Sequence, residues 1–441
     1  MLVVHPEIIV TMDPKLRVLR DFYLGIEDGK IVYLGKTKPA SADEILELPR
    51  RILMPGLINA HTHVAMTLLR GLKDDVDLKT WLMEYILPVE KLLRPSDVYY
   101  GALYGIAEML MHGITCFLDM YYHELEVAKA VADAGIKAMV SYGSADVFFR
   151  RTPEEEFKIA ERFRRELECL IRERRAEEHI FFAYGPHSPY GCTRELLEMF
   201  SDASRRFDIR IHIHLSETRT EVESIRKETG MTPIEYLDSI GLLSDRVMAA
   251  HVVWVSNHDM KILRIRRVHV LHNPSSNLKL ASGICPVDRM IKSGINVALA
   301  TDGPASNNRL DLWKEMHIAS LLQKGITLDP TALPAVEAVK MATINGAKAL
   351  GLEERMGSIE IGKCADFIIL NLDRALGSTP IHDVYSMIVY ALDSSCIESV
   401  WIHGRKLYDI DEGFATIDID MLRGRLEDIR IRLVEEAEIA V

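Results

Sequence analysis

Between residues 52 and 302 the chain repeats one pattern eight times, in which a short run rich in Val, Ile, Phe or Ala precedes a longer charged segment with helical periodicity. The apolar runs are residues 52–61, 113–120, 136–143, 180–187, 209–215, 247–254, 268–273 and 295–302. Strands that alternate with helices are joined by crossovers and therefore lie parallel. Eight such units predict an α/β fold, a (β/α)8 barrel of the TIM type, whose reactive groups lie at the C-terminal ends of its strands.

The two ends of the chain differ from this central region. Both carry short strand-like runs, such as "EIIVTM" near the start and "CADFIILNL" in the tail. Asp28-Gly29 and His403-Gly404 indicate hairpin turns. We therefore predict a small composite β-sandwich domain made from residues 1–51 and 351–441, around a barrel domain of residues 52–350. The final stretch, residues 418–441, has the pattern of an amphipathic helix.

Charge and composition argue against several classes of protein. The net charge of -12 and the absence of a basic stripe argue against a nucleic-acid partner. No run approaches 18 apolar residues, so we expect no membrane span. The six cysteines form no Cys-x-x-Cys pair, which indicates reduced thiols, a cytoplasmic location and no thiolate zinc site. Gln323 is the only glutamine among many charged residues, a bias that favours a source from a hot environment.

Polar side chains collect at the predicted strand ends, at His61, His63, His187, His214, His251 and Asp302. Residues i and i+2 of a strand point to the same face, so His61 and His63 can present two imidazoles to one ion. Three histidines with an aspartate suit a divalent ion that keeps one position open for water. The sequence therefore predicts a catalytic metal centre at this rim.

Strand five, "IRIHIHLSE", places two histidines on its inner face. His214 is nearest the rim and is the favoured ligand, whereas His212, one layer deeper, fits a core or supporting role. His269 and His272 carry no such positional argument and are interpreted as structural. Glu217 follows His214 by three residues, where a carboxyl either moves protons beside the metal or caps the next helix.

Seven motifs occur in order along nearly the whole chain: "PGLINAHTH", "YGPHSPY", "HIHLSE", "AAHVVWVS", "NPSSNLKLASGICPV", "ATDGPASNN" and "GSIEIGKCADFIIL". Together they resemble the amidohydrolase superfamily, and specifically the 5-methylthioadenosine/S-adenosylhomocysteine deaminase family. The resemblance implies a (β/α)8 barrel with a small β domain. It also implies one Zn²⁺ per chain, or another divalent transition metal, and a homo-oligomer, either a dimer or a tetramer.

The activity that the resemblance implies is hydrolytic loss of ammonia from the adenine ring of 5′-modified adenosines. The substrates would be 5′-methylthioadenosine, S-adenosylhomocysteine, 5′-deoxyadenosine or adenosine. The metal ligands carried over are His61, His63, His214 and Asp302. Glu217 would protonate the ring nitrogen beside the attacked carbon, while His251 and Asp302 orient and deprotonate the attacking water.

The resemblance also implies the substrate contacts. Glu90 would accept hydrogen bonds from the ribose diol, His187 would contact the nucleoside, and Trp81 and Ser306 would line the pocket. Glu217 and Asp302 would bind substrate as well as act on it.

One departure from the family pattern concerns the 5′ substituent. Relatives that hold the homocysteine carboxylate have an arginine at the end of strand three, where this chain has Tyr142. Arg150 and Arg151 are the candidates for a second arginine, and the sequence does not choose between them. We therefore expect 5′-deoxyadenosine or 5′-methylthioadenosine to be preferred over S-adenosylhomocysteine.

Two other interpretations compete with this one. The first is another ring aminohydrolase or dehalogenase of the same superfamily, acting on guanine, cytosine or a triazine. Glu90 argues against it, because a free base has no ribose to hold. The second is a catalytically inactive scaffold, which the complete set of candidate metal ligands argues against.

Overall fold

The structure is a computed structural model that describes residues 1–437. The strands of this part of the chain are Leu2–Val10 (β1), Val18–Arg20 (β2), Tyr23–Glu27 (β3), Lys30–Gly35 (β4), Glu44–Pro55 (β5), Leu57–Thr62 (β6), Ile114–Tyr121 (β7), Lys137–Ser144 (β8), Ile180–Pro186 (β9), Arg210–Leu215 (β10), Val247–His251 (β11), His269–His272 (β12), Val297–Leu299 (β13), Phe367–Asn371 (β14), Ile397–Ile402 (β15), Arg405–Asp409 (β16) and Gly413–Phe414 (β17).

Strands β6 to β13 form a parallel barrel in which each strand pairs with the next along the chain. The first and last strands meet at a seam held by the Asp302 N–H, which donates to the His61 carbonyl at 3.0 Å. The Asn59 amide adds to the seam by donating to Thr301 Oγ1 at 2.7 Å. All eight predicted strands are present, so the (β/α)8 prediction is confirmed.

The helices of the chain lie mainly between these strands. The α-helices are Leu78–Thr80, Leu87–Glu90, Pro95–Met111, Glu124–Ala134, Asp146–Phe149, Pro153–Arg174, Arg194–Phe207, Arg219–Thr229, Pro233–Ser239, Asn257–Arg266, Pro274–Lys279, Val287–Lys292, Leu312–Thr327, Ala335–Met341, Ile344–Leu350, Val384–Tyr390 and Ile419–Ala437. Their starts follow ordinary capping chemistry. Thr152 accepts from the Glu155 N–H while the Glu155 side chain accepts from the Thr152 N–H, and Pro153 occupies the first helical turn.

A second sheet joins the two ends of the chain. It has nine strands in the order β17-β16-β15-β14-β5-β1-β3-β4, with β2 paired to β1. Strand β5 therefore lies between β1 from the N-terminal end and β14 from the C-terminal end, which confirms that the small β domain is composite. Its own apolar core includes Val4, Ile9, Leu53 and Phe367.

The first predicted barrel run, residues 52–61, differs from the structure. Residues up to Pro55 complete β5 of the small sheet, and only from Leu57 onward does the chain enter the barrel. The switch occurs at Gly56, where a Cβ atom would lie 2.1 Å from Thr115 Oγ1. The strand thus crosses the boundary that the sequence placed at residue 51, and the division into domains remains a prediction.

The C-terminal helix, Ile419–Ala437, packs against Pro95–Met111, where Arg432 pairs with the buried Asp97. The last four residues of the predicted helix, 438–441, lie outside the described residues. Within residues 1–437 no helix is both long and apolar enough to cross a bilayer. The six cysteines are free thiols, of which all but Cys169 are buried.

Candidate metal centre and active site

The predicted polar residues lie together at the carboxyl ends of the barrel strands. His61 is in β6 and His63 follows it, His187 follows β9, and His214 is in β10. His251 ends β11, and Asp302 follows β13. The backbone is strained here, because φ is 74° at His251 and 62° at Asp302. Left-handed conformations at residues other than glycine cluster at functional sites, so the strain points to the same rim.

Four of these side chains surround one point. The ring nitrogens Nε2 of His61 and His63 each lie 3.3 Å from Asp302 Oδ1. His63 Nε2 is also 3.3 Å from His214 Nε2. Two overlapping groups, His61/His63/His214 and His61/His251/Asp302, have ligand atoms within 4.8 Å of one another. This is the spacing at which several donors can converge on one ion.

Hydrogen bonds orient two of the imidazoles. His63 Nδ1 lies 2.6 Å from the Met120 carbonyl, and His214 Nδ1 lies 2.8 Å from the His187 carbonyl. A carbonyl oxygen only accepts, so each Nδ1 carries the proton and each Nε2 is left with a free lone pair. Such a bond from the outer ring nitrogen is the usual support of a metal-ligating histidine.

The electrostatics suit a cation. Burial lowers the pKa of His61 to about 4 and also lowers the pKa of His63, so both rings are neutral at pH 7. Burial opposes ionisation of Asp302, but the histidines around it, among them His251, whose own pKa is raised, outweigh this effect and hold the pKa of Asp302 well below the usual range. Neutral imidazoles beside an ionised carboxylate are the protonation state that metal binding requires.

His61 Nε2 gives an independent test of fit. This atom is buried and makes no hydrogen bond within the described residues. An unpaired buried nitrogen costs free energy, and a metal ion at the centre of the cluster would satisfy it. The residues present therefore fit a divalent ion.

Glu217 and His251 form the reactive pair beside this cluster. Glu217 Oε2 lies 3.7 Å from His251 Nε2, and Ser282 donates to its other oxygen at 3.3 Å. Burial raises the pKa of Glu217, which favours the protonated form of this carboxyl. Glu221 fixes the loop, because its carboxylate accepts from the Ser216 and Glu217 N–H groups at 2.8 Å each.

These groups open into a concave pocket, the usual form of a small-molecule site. It is lined by His63, Met66, Leu78, Trp81, Leu82, Glu90, Met120, Tyr121, Tyr122, Gly143, His187, Tyr190, His214, Glu217, His251, Leu280, Asp302 and Ser306. Ser306 and Ser276 donate to Asp302 Oδ2 at 2.7 and 2.5 Å. Nine of the thirteen predicted site residues thus line this pocket, and His61 is buried below it.

Glu90 lies in the pocket wall far from the metal ligands in sequence. The Tyr121 hydroxyl donates to Glu90 Oε1 at 2.7 Å. Burial raises the pKa of Glu90 to about 7, and the bond from Tyr121 offsets only part of this effect. The carboxyl therefore changes charge near neutral pH.

Tyr142, Arg150 and Arg151 are not among the residues that line this pocket, and a role for them in substrate binding stays a prediction. In β8 the side chains alternate, so Ser141 and Gly143 face the barrel interior while Tyr142 points to the surrounding helices. Its ring is 6.4 Å from that of Phe163, and its hydroxyl accepts from Arg151 at 3.3 Å. Arg151 is also paired with the buried Glu156.

Sequence reasoning missed several residues of the site. Tyr121, Tyr122 and Tyr190 line the pocket and were not singled out. Ser276 holds Asp302, and it lies within the "NPSSNLK" motif that contributed to the resemblance. Glu221 is four residues after Glu217, a spacing that could have suggested its support of the loop.

A third group of potential ligands, Glu178, Cys364 and His403, lies at the opposite end of the barrel. It suits a cation poorly, because Glu178 is already paired with Arg355. The Lys137 ammonium, which is paired with Asp366, is close enough to influence the pKa values of Glu178 and His403.

A barrel that gathers neutral imidazoles and an ionised aspartate at the carboxyl ends of its strands defines a metal-dependent enzyme of the (β/α)8 class. Residues 52–407 match the amidohydrolase family. The chain belongs to the amidohydrolase family.

Two relatives and one solved structure show which members of this family the chain is similar to. The chain is 42% identical over 393 residues to 5-methylthioadenosine/S-adenosylhomocysteine deaminase of Pyrococcus furiosus, covering 89% of this chain and 92% of the relative. It is 44% identical over 383 residues to 5′-deoxyadenosine deaminase of Methanothermobacter thermautotrophicus, covering 87% of this chain and 88% of the relative. A solved adenosine deaminase from Xanthomonas campestris with bound zinc superimposes with a TM-score of 0.92 at 35% identity, covering 98% of each chain.

The geometry predicts about one tightly bound divalent ion per chain, because one cluster of donors surrounds one point. His63→Ala should abolish metal binding, whereas His272→Ala should retain it, since His272 is buried outside the cluster. Elemental analysis of the purified proteins measures this. Two tightly held ions in the wild type, or full metal content in His63→Ala, would contradict the assignment.

Proposed function

We propose that the protein is a zinc-dependent deaminase that converts the adenine ring of 5′-modified adenosines to the inosine-type product and ammonia. The observation that carries the proposal is the position of Glu217 and His251, 3.7 Å apart, beside the four-residue cluster and in the pocket that also contains Glu90. The deaminase names of the similar proteins support this choice of reaction.

His61, His63, His214 and Asp302 would hold the zinc ion. When bound, zinc supplies a nucleophile at neutral pH by lowering the pKa of water. The residues around it divide the remaining work. His251 and Asp302 orient the water and accept its proton, and Glu217 delivers a proton to the ring nitrogen beside the attacked carbon, which makes that carbon more electrophilic.

The chemistry of the pocket wall fits a nucleoside rather than a free base. Glu90 offers a carboxylate to the ribose diol, while Trp81 and His187 supply flat surfaces against the ligand. A guanine, cytosine or triazine substrate has no diol to hydrogen-bond to Glu90, and this buried carboxyl would then keep only its bond from Tyr121. We therefore retain the nucleoside as substrate.

No lysine or arginine is among the residues that line the pocket within the described part of the chain. Glu90, Glu217 and Asp302 are the ionisable carboxyls there. A 5′ substituent that carries a carboxylate would thus lack a cationic partner. The pocket favours 5′-deoxyadenosine and 5′-methylthioadenosine over S-adenosylhomocysteine, for a reason that no longer depends on Tyr142.

Surface and composition bear on the oligomeric state, the partners, the cellular location and the source of the enzyme. A homodimer or homotetramer is supported by the half-exposed Leu321 and Ile326, which lie on the helix Leu312–Thr327 and line one surface groove. The net charge of -12 supports the absence of a nucleic-acid partner. Free cysteines support a cytoplasmic location, and the scarcity of glutamine supports a hot source.

Glu217→Gln should retain the fold, the zinc and nucleoside binding, yet lose about 10²- to 10⁴-fold in kcat, because an amide cannot deliver the proton. Steady-state ammonia release gives kcat, and metal analysis of the same sample serves as the control. Retention of more than about a tenth of the wild-type kcat would rule out this role.

The ionisation of Glu90 should appear in substrate binding. Its pKa of about 7 means that the charged form, which accepts the diol hydrogen bonds, increases as pH rises through 7. KM for nucleosides should therefore fall over this range in the wild type, and Glu90→Gln should lose that component of the pH profile. An equal effect of the variant on 2′,3′-dideoxy substrates would show that Glu90 does not bind the diol.

The 5′ preference can be measured as a ratio of kcat/KM values. A charge-assisted hydrogen bond contributes about 1.5–3 kcal/mol, so its absence should disfavour S-adenosylhomocysteine by about 10- to 150-fold relative to 5′-deoxyadenosine. Tyr142→Arg should leave this ratio unchanged, because the side chain points away from the pocket. A wild type that works best on S-adenosylhomocysteine would contradict the expected preference.

A further inference from the structure

Among the three histidines that would hold zinc, His61 differs in how its outer ring nitrogen is held. His63 and His214 donate to backbone carbonyls, which can only accept. His61 Nδ1 instead lies 2.7 Å from Nε2 of a fourth histidine, His212. An imidazole nitrogen can donate or accept, so this contact alone does not show which ring nitrogen of His61 carries the proton.

The other hydrogen bonds of His212 determine which ring nitrogen of His61 carries the proton. His212 Nδ1 lies 3.0 Å from Ser141 Oγ, and the Ser141 hydroxyl donates to the Asp119 carbonyl at 2.6 Å. A serine hydroxyl has one hydrogen. Because that hydrogen is directed at a carbonyl, Ser141 Oγ accepts from His212, and His212 Nδ1 carries a proton.

The position of the proton on His212 determines the position of the proton on His61. A neutral imidazole with its proton on Nδ1 presents a lone pair at Nε2, so His212 accepts from the His61 Nδ1–H. His61 Nε2 then carries no hydrogen, which agrees with the absence of a hydrogen bond from this buried atom. If every bond in the chain were reversed, His61 Nε2 would carry a hydrogen and could not bind a metal ion.

The barrel architecture explains why these residues meet. His61, Ser141 and His212 lie on β6, β8 and β10, which are alternate strands, and alternate strands contribute side chains to the same interior layer. His212 and Ser141 are completely buried. Their contacts are therefore shielded from water, which would otherwise compete for either nitrogen.

We propose that His212 and Ser141 are positioning residues that fix the proton of His61 on Nδ1 and so prepare its Nε2 as a zinc ligand. The inference rests on the proposed function, because it concerns the same metal centre. His212 acts on the metal centre only through its hydrogen bond with His61.

The test is the zinc dissociation constant of the metal-depleted protein, measured by competition with a chromogenic chelator. His212→Phe fills similar space without accepting a hydrogen bond, and it should weaken zinc binding by about 10- to 100-fold. His212→Gln should restore affinity to within about threefold of the wild type, because the amide oxygen accepts from His61 while the amide nitrogen donates to Ser141.

Two further variants separate positioning from packing. His272→Phe changes another buried barrel histidine, whose side chain makes no hydrogen bond in the described residues, and it should leave zinc affinity unchanged. Ser141→Ala removes only the last hydroxyl and should weaken zinc by about 2- to 12-fold, the range of one neutral hydrogen bond. This second variant serves as the test if His212→Phe does not fold.

Each outcome bears on the inference. Equal zinc affinity in the wild type and His212→Phe would overturn it, as would His212→Gln binding as weakly as His212→Phe. Unchanged affinity in Ser141→Ala would also overturn it. A wild type that binds no zinc would overturn the proposed metal centre and this inference with it, whereas the other failures leave the metal centre standing.

Discussion

The structure depends on keeping three imidazoles neutral, with bare Nε2 atoms directed at one point, beside an ionised aspartate. Burial is the main cause of this neutrality, since it lowers the pKa of His61 to about 4 and also lowers the pKa values of His63 and His214. Burial also opposes ionisation of Asp302, but the neighbouring histidines, His251 among them, outweigh this effect and hold its pKa well below the usual range. The cluster is thus a set of mutually dependent groups, and the barrel fixes their separation by holding them at strand ends.

The same closed barrel supplies the support on which these groups depend. The seam bond from the Asp302 N–H to the His61 carbonyl joins the first and last strands at two of the prospective ligands. Ser276 and Ser306 hold the outer oxygen of Asp302, leaving Oδ1 directed at the imidazoles. The contact that closes the barrel therefore also brings two of the prospective metal ligands together.

The sequence predicted much of this and missed the rest for identifiable reasons. Eight apolar runs are visible because each is a buried strand, yet the apolar residues continue on both sides of Pro55-Gly56 in "ILMPGLI" and conceal the change of sheet at Gly56. Strand periodicity places His212 below His214, but the bond from Tyr121 to Glu90 joins residues that no local pattern connects. The position of Tyr142 at a strand end does not indicate the direction of its side chain, which the packing against Phe163 sets.

The central claim is that one zinc ion is held jointly by His61, His63, His214 and Asp302. Anomalous diffraction at the zinc edge from crystals of the zinc-loaded protein tests it most directly. We predict one strong peak per chain, about 2.0–2.2 Å from Nε2 of each histidine and from a carboxylate oxygen of Asp302. A peak at another place, or one that lies beyond bonding distance of any of these four side chains, would contradict the account.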